Sequence, residues 1–231
     1  MTETRDTPPN DYLVGLDLGQ SRDYTALTVA EIVGREPNRY DVRAIERSKP
    51  RRYQDVIARV AEIVPKLREG AHVLNRDGRT YDYLRPTVTL VVDRTGVGRA
   101  VGDLFSEADL DVDLQLVSIH GGAAVGRDDD GAWSVPKRDL VGVVAVALQN
   151  GRLRWAEGLK HADTLRDELQ NFRATIAPNG HTSYGAGDDW REGNHDDLVL
   201  AVALSLWWGE RPKPQGLVPG YPYREAFAGI L

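Results

Sequence analysis

The 231-residue sequence contains no cysteine, so neither disulfides nor a thiolate zinc site can hold it together, and a reducing compartment suits it. It also lacks a long apolar run. The longest, Leu198 to Trp208 broken only by Ser205, is too short to cross a bilayer. The opening "MTETRDTPPND" has neither the basic start nor the apolar core of a signal peptide. A cytoplasmic protein with no membrane partner is the expectation. Positive charge is not in excess either. With 29 Lys and Arg against 35 Asp and Glu, the formal net charge is -6, which argues against nucleic-acid binding through bulk charge but leaves room for a local basic stripe. The dipeptide Gly-Lys never occurs, which excludes a Walker A nucleotide loop.

A hydrophobic fraction of 41% in a chain of this length is enough for one ordinary core. The spacing predicts a loose leader over 1–11, one folded domain over 12–208 and a proline-bearing extended tail over 209–231. Two strands, Tyr12 to Asp17 and Thr25 to Val33, flank the tight segment "GQSRD", and a third follows at Tyr40 to Glu46. Tyr53, Val56, Ile57, Val60, Ile63, Val64 and Leu67 recur at helical spacing, with Pro65 marking a kink or an early end. A polar segment with an Asp77-Gly78 turn precedes the β-branched run "TVTLVVD" (Thr87 to Asp93), and "GVGRAVGDLF" starts a helix.

Further on, "DVDLQLVSI" (Asp111 to Ile119) alternates as a half-buried strand, and the glycine-rich, acidic "GGAAVGRDDDGAWSVP" (Gly121 to Pro136) reads as a long mobile loop of the kind that carries function. Helices are predicted over 138–149 and 160–173, with "GRLRWAE" between them as an edge strand. A second polar loop (Pro178 to Asn194) leads to an apolar helix that begins near Asp196. Three leading strands followed by alternating strands and helices imply an α/β mixed sheet with helices on both faces.

Three acids stand where an apolar element begins or ends: Asp17, Asp93 and the pair Asp196-Asp197. The ends of adjacent strands in an open α/β sheet converge on the ligand crevice, and a helix N-terminus reaches the same place. Carboxylates gathered there repel and raise one another's pKa, so a cluster of three or four implies a hard cation, and all-oxygen ligands select Mg²⁺ or Mn²⁺. Each acid has a plain structural alternative: Asp17 capping the strand turn, Asp93 capping the following helix, Asp196 or Asp197 capping the last helix. Asp23 reads as a local turn residue and Asp128 to Asp130 as a solvated run. Lys137, Arg94 and Arg99 are candidate phosphate contacts, with His195 beside the acidic pair, and each reads equally well as a solvated residue. "RSKPRR" (Arg47 to Arg52) is either a phosphate contact or the solvated start of a helix. Trp207 and Trp208 fall in the apolar helix, whereas Trp133 and Trp190 fall in the two loops, in reach of DNA.

Taken in order, "VGLDLGQSRDYTALTVAE", "LVVDRTGVGRAVGDLF", "SVPKRDLV" and "NHDDLVLAVALSLWW" resemble the C-terminal nuclease domain of the large terminase subunit of tailed phages, a member of the ribonuclease-H-like superfamily. The resemblance runs from about Tyr12 to Trp208. It implies a ribonuclease-H-like mixed sheet of five or slightly more strands. It further implies a metal-dependent DNA endonuclease that cuts concatemeric viral DNA during packaging, with two Mg²⁺ or Mn²⁺ ions at the site. Asp17, Asp93 and Asp197 match the catalytic acids, and Asp196 is an additional ligand. Resolvases of the superfamily carry another acid where Leu200 stands here.

The implied partners are double-stranded DNA, a terminase ATPase motor (as a preceding domain or a separate chain), the portal and the small terminase subunit. Two other readings stay open. One is a Holliday-junction-resolvase-like nuclease. The other is a nucleotide-binding phosphotransferase module of the actin and sugar-kinase type, because "GLDLGQS" also resembles the first phosphate loop of those proteins.

Overall fold

The computed structural model describes residues 10–19, 23–34, 37–49, 52–69, 72–76, 79–84, 86–176, 182–185 and 196–211. His195, Trp190, most of the second polar loop, the leader before Asn10 and the tail beyond Arg211 lie outside the described residues. The chain runs β1 (Tyr12–Asp17), β2 (Thr25–Val33), β3 (Arg39–Ser48), α1 (Tyr53–Leu67), β4 (His72–Arg76), β5 (Arg79–Leu84), β6 (Val88–Asp93), α2 (Arg99–Glu107) and β7 (Asp113–His120). Then come β8 (Gly126–Arg127), β9 (Trp133–Pro136), α3 (Lys137–Gln149), β10 (Leu153–Trp155), α4 (Ala162–Asn171), β11 (Arg173–Ile176), β12 (Thr182–Gly185) and α5 (Asp197–Gly209).

Eight strands form one mixed sheet in the order β10-β3-β2-β1-β6-β7-β9-β8. The five strands expected from the sequence make its middle. The antiparallel leaders β3, β2 and β1 are followed by β6 and β7, parallel to β1. The sheet is wider than five because "GRLRWAE" adds β10 beside β3, and because the 121–136 segment, expected as a mobile loop, contains β9 paired to β7 and the short β8. Likewise the polar segment around 77–78 is flanked by the hairpin β4-β5, and β12 pairs with β11. Pro65 sits in the last turn of α1, which ends two residues later.

Period-2 alternation divides the core into two. Val14, Leu16, Leu27, Val29, Leu90 and Val92 face α1 and α2. Leu13, Ala26, Ala30, Val91 and Val117 face the other way, onto the layer built from α3, α4 and α5. Helix α5 is apolar all round, and nearly every residue in it is buried, because it is covered by the sheet on one side and by α3 and α4 on the other. It lies on β1 almost backbone to backbone. A Cβ at Gly15 would sit 1.9 Å from the Ala201 carbonyl oxygen and 2.5 Å from Ser205 Oγ. At the far end Gly209 packs on Leu13 and Tyr40, the Tyr40 hydroxyl donates to Glu210 at 2.7 Å, and Asn38 donates to the Gly209 carbonyl at 2.8 Å. The helix therefore runs antiparallel to β1, which brings its N-terminus over the strand's C-terminal end.

If Gly15 sets this approach, Gly15→Ala should lower stability by about 1–3 kcal/mol through overpacking. It should be read as a lower urea midpoint at unchanged m-value. Gly142→Ala on α3, where an added methyl meets nothing within 4 Å, should be neutral or stabilising. Equal midpoints for wild type and Gly15→Ala would show that the helix is not seated by this contact.

Candidate active site

Strand register brings the first two acids together. Asp17 and Asp93 are direct partners at the C-terminal ends of the parallel strands β1 and β6, about 5 Å apart across the ladder. They share the face of Leu13, Gly15 and Val91, the side on which α5 lies. The same cross-strand row continues to Ala26 on β2 and Arg47 on β3. Thus two acids, a small spacer and a cation form one ledge beneath the N-terminus of α5.

The structural alternatives for these acids fare differently. Asp93 does not cap α2, whose N-cap is Gly98. Its Oδ1 instead accepts the Thr95 N–H at 2.7 Å, which turns the chain immediately after the strand. The turn after β1 is tied by Thr25, whose hydroxyl accepts the Gly19 N–H at 3.1 Å. Asp196 occupies the N-cap position of α5, and its carbonyl accepts the Leu200 N–H, but its side chain makes no capping bond. That role falls to Glu168 of α4, whose Oε2 accepts the N–H groups of Leu198 and Val199 at 3.0 and 3.2 Å.

The two acids of the pair have separate surroundings. Asp197 is 6% exposed and held by a two-pronged Arg47 guanidinium, with Nε and Nη2 each 2.8 Å from a carboxylate oxygen. Asp196 is more open, and its Oδ2 lies 2.6 Å from Lys137 Nζ. Lys137 is the first residue of α3, and its ammonium also lowers the pKa of both Asp17 and Asp93. Lys137, expected as a phosphate contact, is here engaged by Asp196.

Burial, then the charges of Asp93, Asp196 and Asp197 in that order, push the Asp17 carboxyl well above the aspartate range, even though one edge of it meets solvent. Burial also raises Asp93, opposed by its bond from Thr95. Such a crowd of buried oxygens is costly without a cation. Among the described residues no three carboxylates or imidazoles stand close enough to cage a metal as they are. Arg47 draws Asp197 aside and Lys137 draws Asp196. The donor set nonetheless fits Mg²⁺ or Mn²⁺, which take oxygen ligands and complete their shells with water and substrate phosphates. Asp17, Asp93 and Asp196 are the residues that would hold such an ion.

The other candidates have partners of their own. Arg94 is 8% exposed, and its guanidinium contacts Ser118, Asp128 and Asp130. It ties the 121–136 segment to β7, a correction to the expectation of a phosphate contact. Asp128 is correspondingly no solvated loop acid, since it also accepts the N–H groups of Asp130 and Ala132 at 3.0 Å. Arg99 remains largely exposed and pairs with Asp130. Trp133 lies on β9 rather than in a loop, edge-on to Trp207 and Trp208 and covered by Arg127 and Arg211. From "RSKPRR", Arg47 is committed to Asp197, Lys49 lies over the Tyr24 ring, and Arg52 pairs with Asp55. Sequence reasoning missed Glu168 entirely. Its signal was a lone acid on the buried stripe Ala162, Leu165, Glu168 of α4.

No protein-family model and no curated protein sequence matches the chain. Solved structures do. The large terminase nuclease of thermophilic phage G20c with bound magnesium is 19% identical, with a TM-score of 0.58 over 88% of this chain and 84% of that one. The nuclease domain of the large terminase subunit gp2 of bacterial virus Sf6, solved with manganese and beta-thujaplicinol, is 13% identical, with a TM-score of 0.53 over 90% of each chain. The chain has the large-terminase nuclease fold. It covers 41% of the bacteriophage HK97 large terminase, 18% identical with a TM-score of 0.51 over 90% of this chain. The mixed α/β sheet expected from the sequence is present in this chain, extended at both edges.

Glu168 supplies a pH test of the electrostatics. Burial, then Asp197, push its carboxyl from 4.5 up to about 8, despite its two bonds from the helix and the nearby Arg47. A raised carboxyl stabilises the fold below its unfolded pKa, and that contribution is lost as pH rises through the folded value. In EDTA, stability should therefore decline between about pH 4.5 and about pH 8. Glu168→Gln, which cannot ionise, should flatten the decline in melting temperature across this window. An unchanged slope would place the Glu168 pKa near its ordinary value.

Proposed function

We propose that this protein is a metal-dependent DNA endonuclease, the nuclease of a phage terminase that cuts concatemeric viral DNA during packaging. The observation that carries the proposal is the pairing of Asp17 with Asp93 at adjacent strand ends, under the acidic start of α5, in a fold shared with terminase nucleases. Divalent ions held there, two during catalysis, would lower the pKa of a bound water and stabilise the departing 3′ oxygen.

The chain's own residues do the rest. Asp17, paired with Asp93 and acted on by the α5 acids, would be a ligand to the ions held there. Thr95, bonding through its N–H and its side chain, fixes the rotamer of Asp93. Lys137 exchanges Asp196 for a phosphate oxygen of the incoming strand, so the cation that balances the acids without substrate becomes a backbone contact with it. Arg99, exposed at the start of α2, extends that contact, and His195, next to Asp196, is the further candidate. With a net charge of -6, affinity for DNA depends on these local cations and on the bound ions. The ATPase motor, the portal and the small terminase subunit are the partners this function requires.

Purified protein should nick and linearise plasmid DNA with little sequence preference when Mn²⁺ or Mg²⁺ is present, and cutting should stop in EDTA. Asp17→Ala and Asp93→Ala should each abolish cutting. Both should melt at or above the wild-type temperature in EDTA, since each removes one buried like charge. Full cutting in EDTA, or by Asp17→Ala, would refute the assignment.

A further inference from the structure

The first turn of α5 is fixed by groups outside the acidic ledge. Arg47 reaches it from the end of β3, in the same cross-strand row as Asp17 but two strands away, with only the small Ala26 between them. Its guanidinium takes both oxygens of Asp197, approaches Glu168 Oε1 at 3.5 Å and stacks 4.0 Å from the centre of the Tyr24 ring. Glu168 in turn accepts the N–H groups of Leu198 and Val199. A carboxylate held by a two-pronged guanidinium has its strongest acceptor directions filled, and breaking such a buried pair costs more than an exposed one. Asp197 is therefore committed away from Asp17 and Asp93. Asp196 sits one residue earlier, about 100° around the helix axis. Among the described residues its side chain is held only by Lys137, a single ammonium on a flexible stem, and its charge acts on Asp17 more strongly than that of Asp197.

We propose that Arg47 and Glu168 are positioning residues that lock Asp197 and the first turn of α5, so that Asp196 is the acid of this pair presented to a divalent cation. The proposal rests on the reading of the ledge as a divalent-cation site, and it reverses the assignment that the family resemblance implies for the pair. Arg47 acts through Asp197 and Glu168 through the helix end, and neither touches the cation.

The test is Mn²⁺ binding without DNA, followed by the EPR signal of free Mn²⁺. Folding of each variant is checked by circular dichroism and melting in EDTA. Arg47→Gln and Asp197→Asn should each weaken Mn²⁺ about 10- to 100-fold, the usual cost of losing an outer support, and Asp196→Asn should weaken it further. Because Arg47 acts through Asp197, adding Arg47→Gln to Asp197→Asn should cost little more, whereas a merely structural role would give additive losses. Should Arg47→Gln fail to fold, the two Asn variants decide, since both keep the side-chain volume. Unchanged Mn²⁺ affinity in a folded Arg47→Gln, or a larger loss in Asp197→Asn than in Asp196→Asn, would overturn the clamp alone. Failure of the wild type to bind Mn²⁺ at all would overturn the cation site and the clamp together.

Discussion

The close approach of α5 to β1 at Gly15 is the constraint on which the site depends. Gly15 puts no side chain of its own between strand and helix, so their relative height is set by close contact with the Ala201 carbonyl and the small Ser205 side chain. The helix is then fastened at both ends to β3, through Tyr40 and Asn38 at its C-terminus and through Arg47 at its N-terminus. Because it runs antiparallel to β1, the end carrying Asp196 and Asp197 falls over the strand end carrying Asp17. Parallel pairing of β6 with β1 adds Asp93 in register. A one-residue slip of β1 would turn Asp17 to the opposite face, so seating the helix and assembling the acids are the same event.

Four acids in this space cannot all stay charged without compensation. The fold meets the problem in two ways. Asp197 is neutralised by Arg47, a permanent cation that binds with both prongs, while Asp196 is matched by Lys137, a point charge on a mobile stem. Among the described residues Asp17 and Asp93 receive no such partner at short range, and burial raises both. The result is a graded set: one acid locked, one lightly held, two raised by burial. Under the proposed function that gradation suits hard ions, which bind weakly until phosphate oxygens complete their shells.

Much of this was legible in the sequence. Alternation and β-branched runs located the strands of the middle sheet, and an acid closing an apolar strand before a turn located Asp17 and Asp93 at element ends. The mostly apolar stretch after Asp197 implied a helix beginning near Asp196, and α5 (Asp197–Gly209) is that helix. What escaped were features decided by partners distant in the chain. Arg94 and Asp128 lie 34 residues apart and read as exposed charges until the β7-β9 pairing brings them together. Glu168 caps a helix that begins 29 residues later, and no local capping pattern encodes that. Arg47 was visible only as one cation in a basic run, because its meaning depends on strand register.

The most direct test of the central claim is anomalous scattering from crystals soaked in Mn²⁺. The account predicts density between Asp17 and Asp93, reached by Asp196 with Lys137 withdrawn, and Arg47 still paired with Asp197. Manganese bound elsewhere on the surface, with the acidic ledge unchanged, would contradict it.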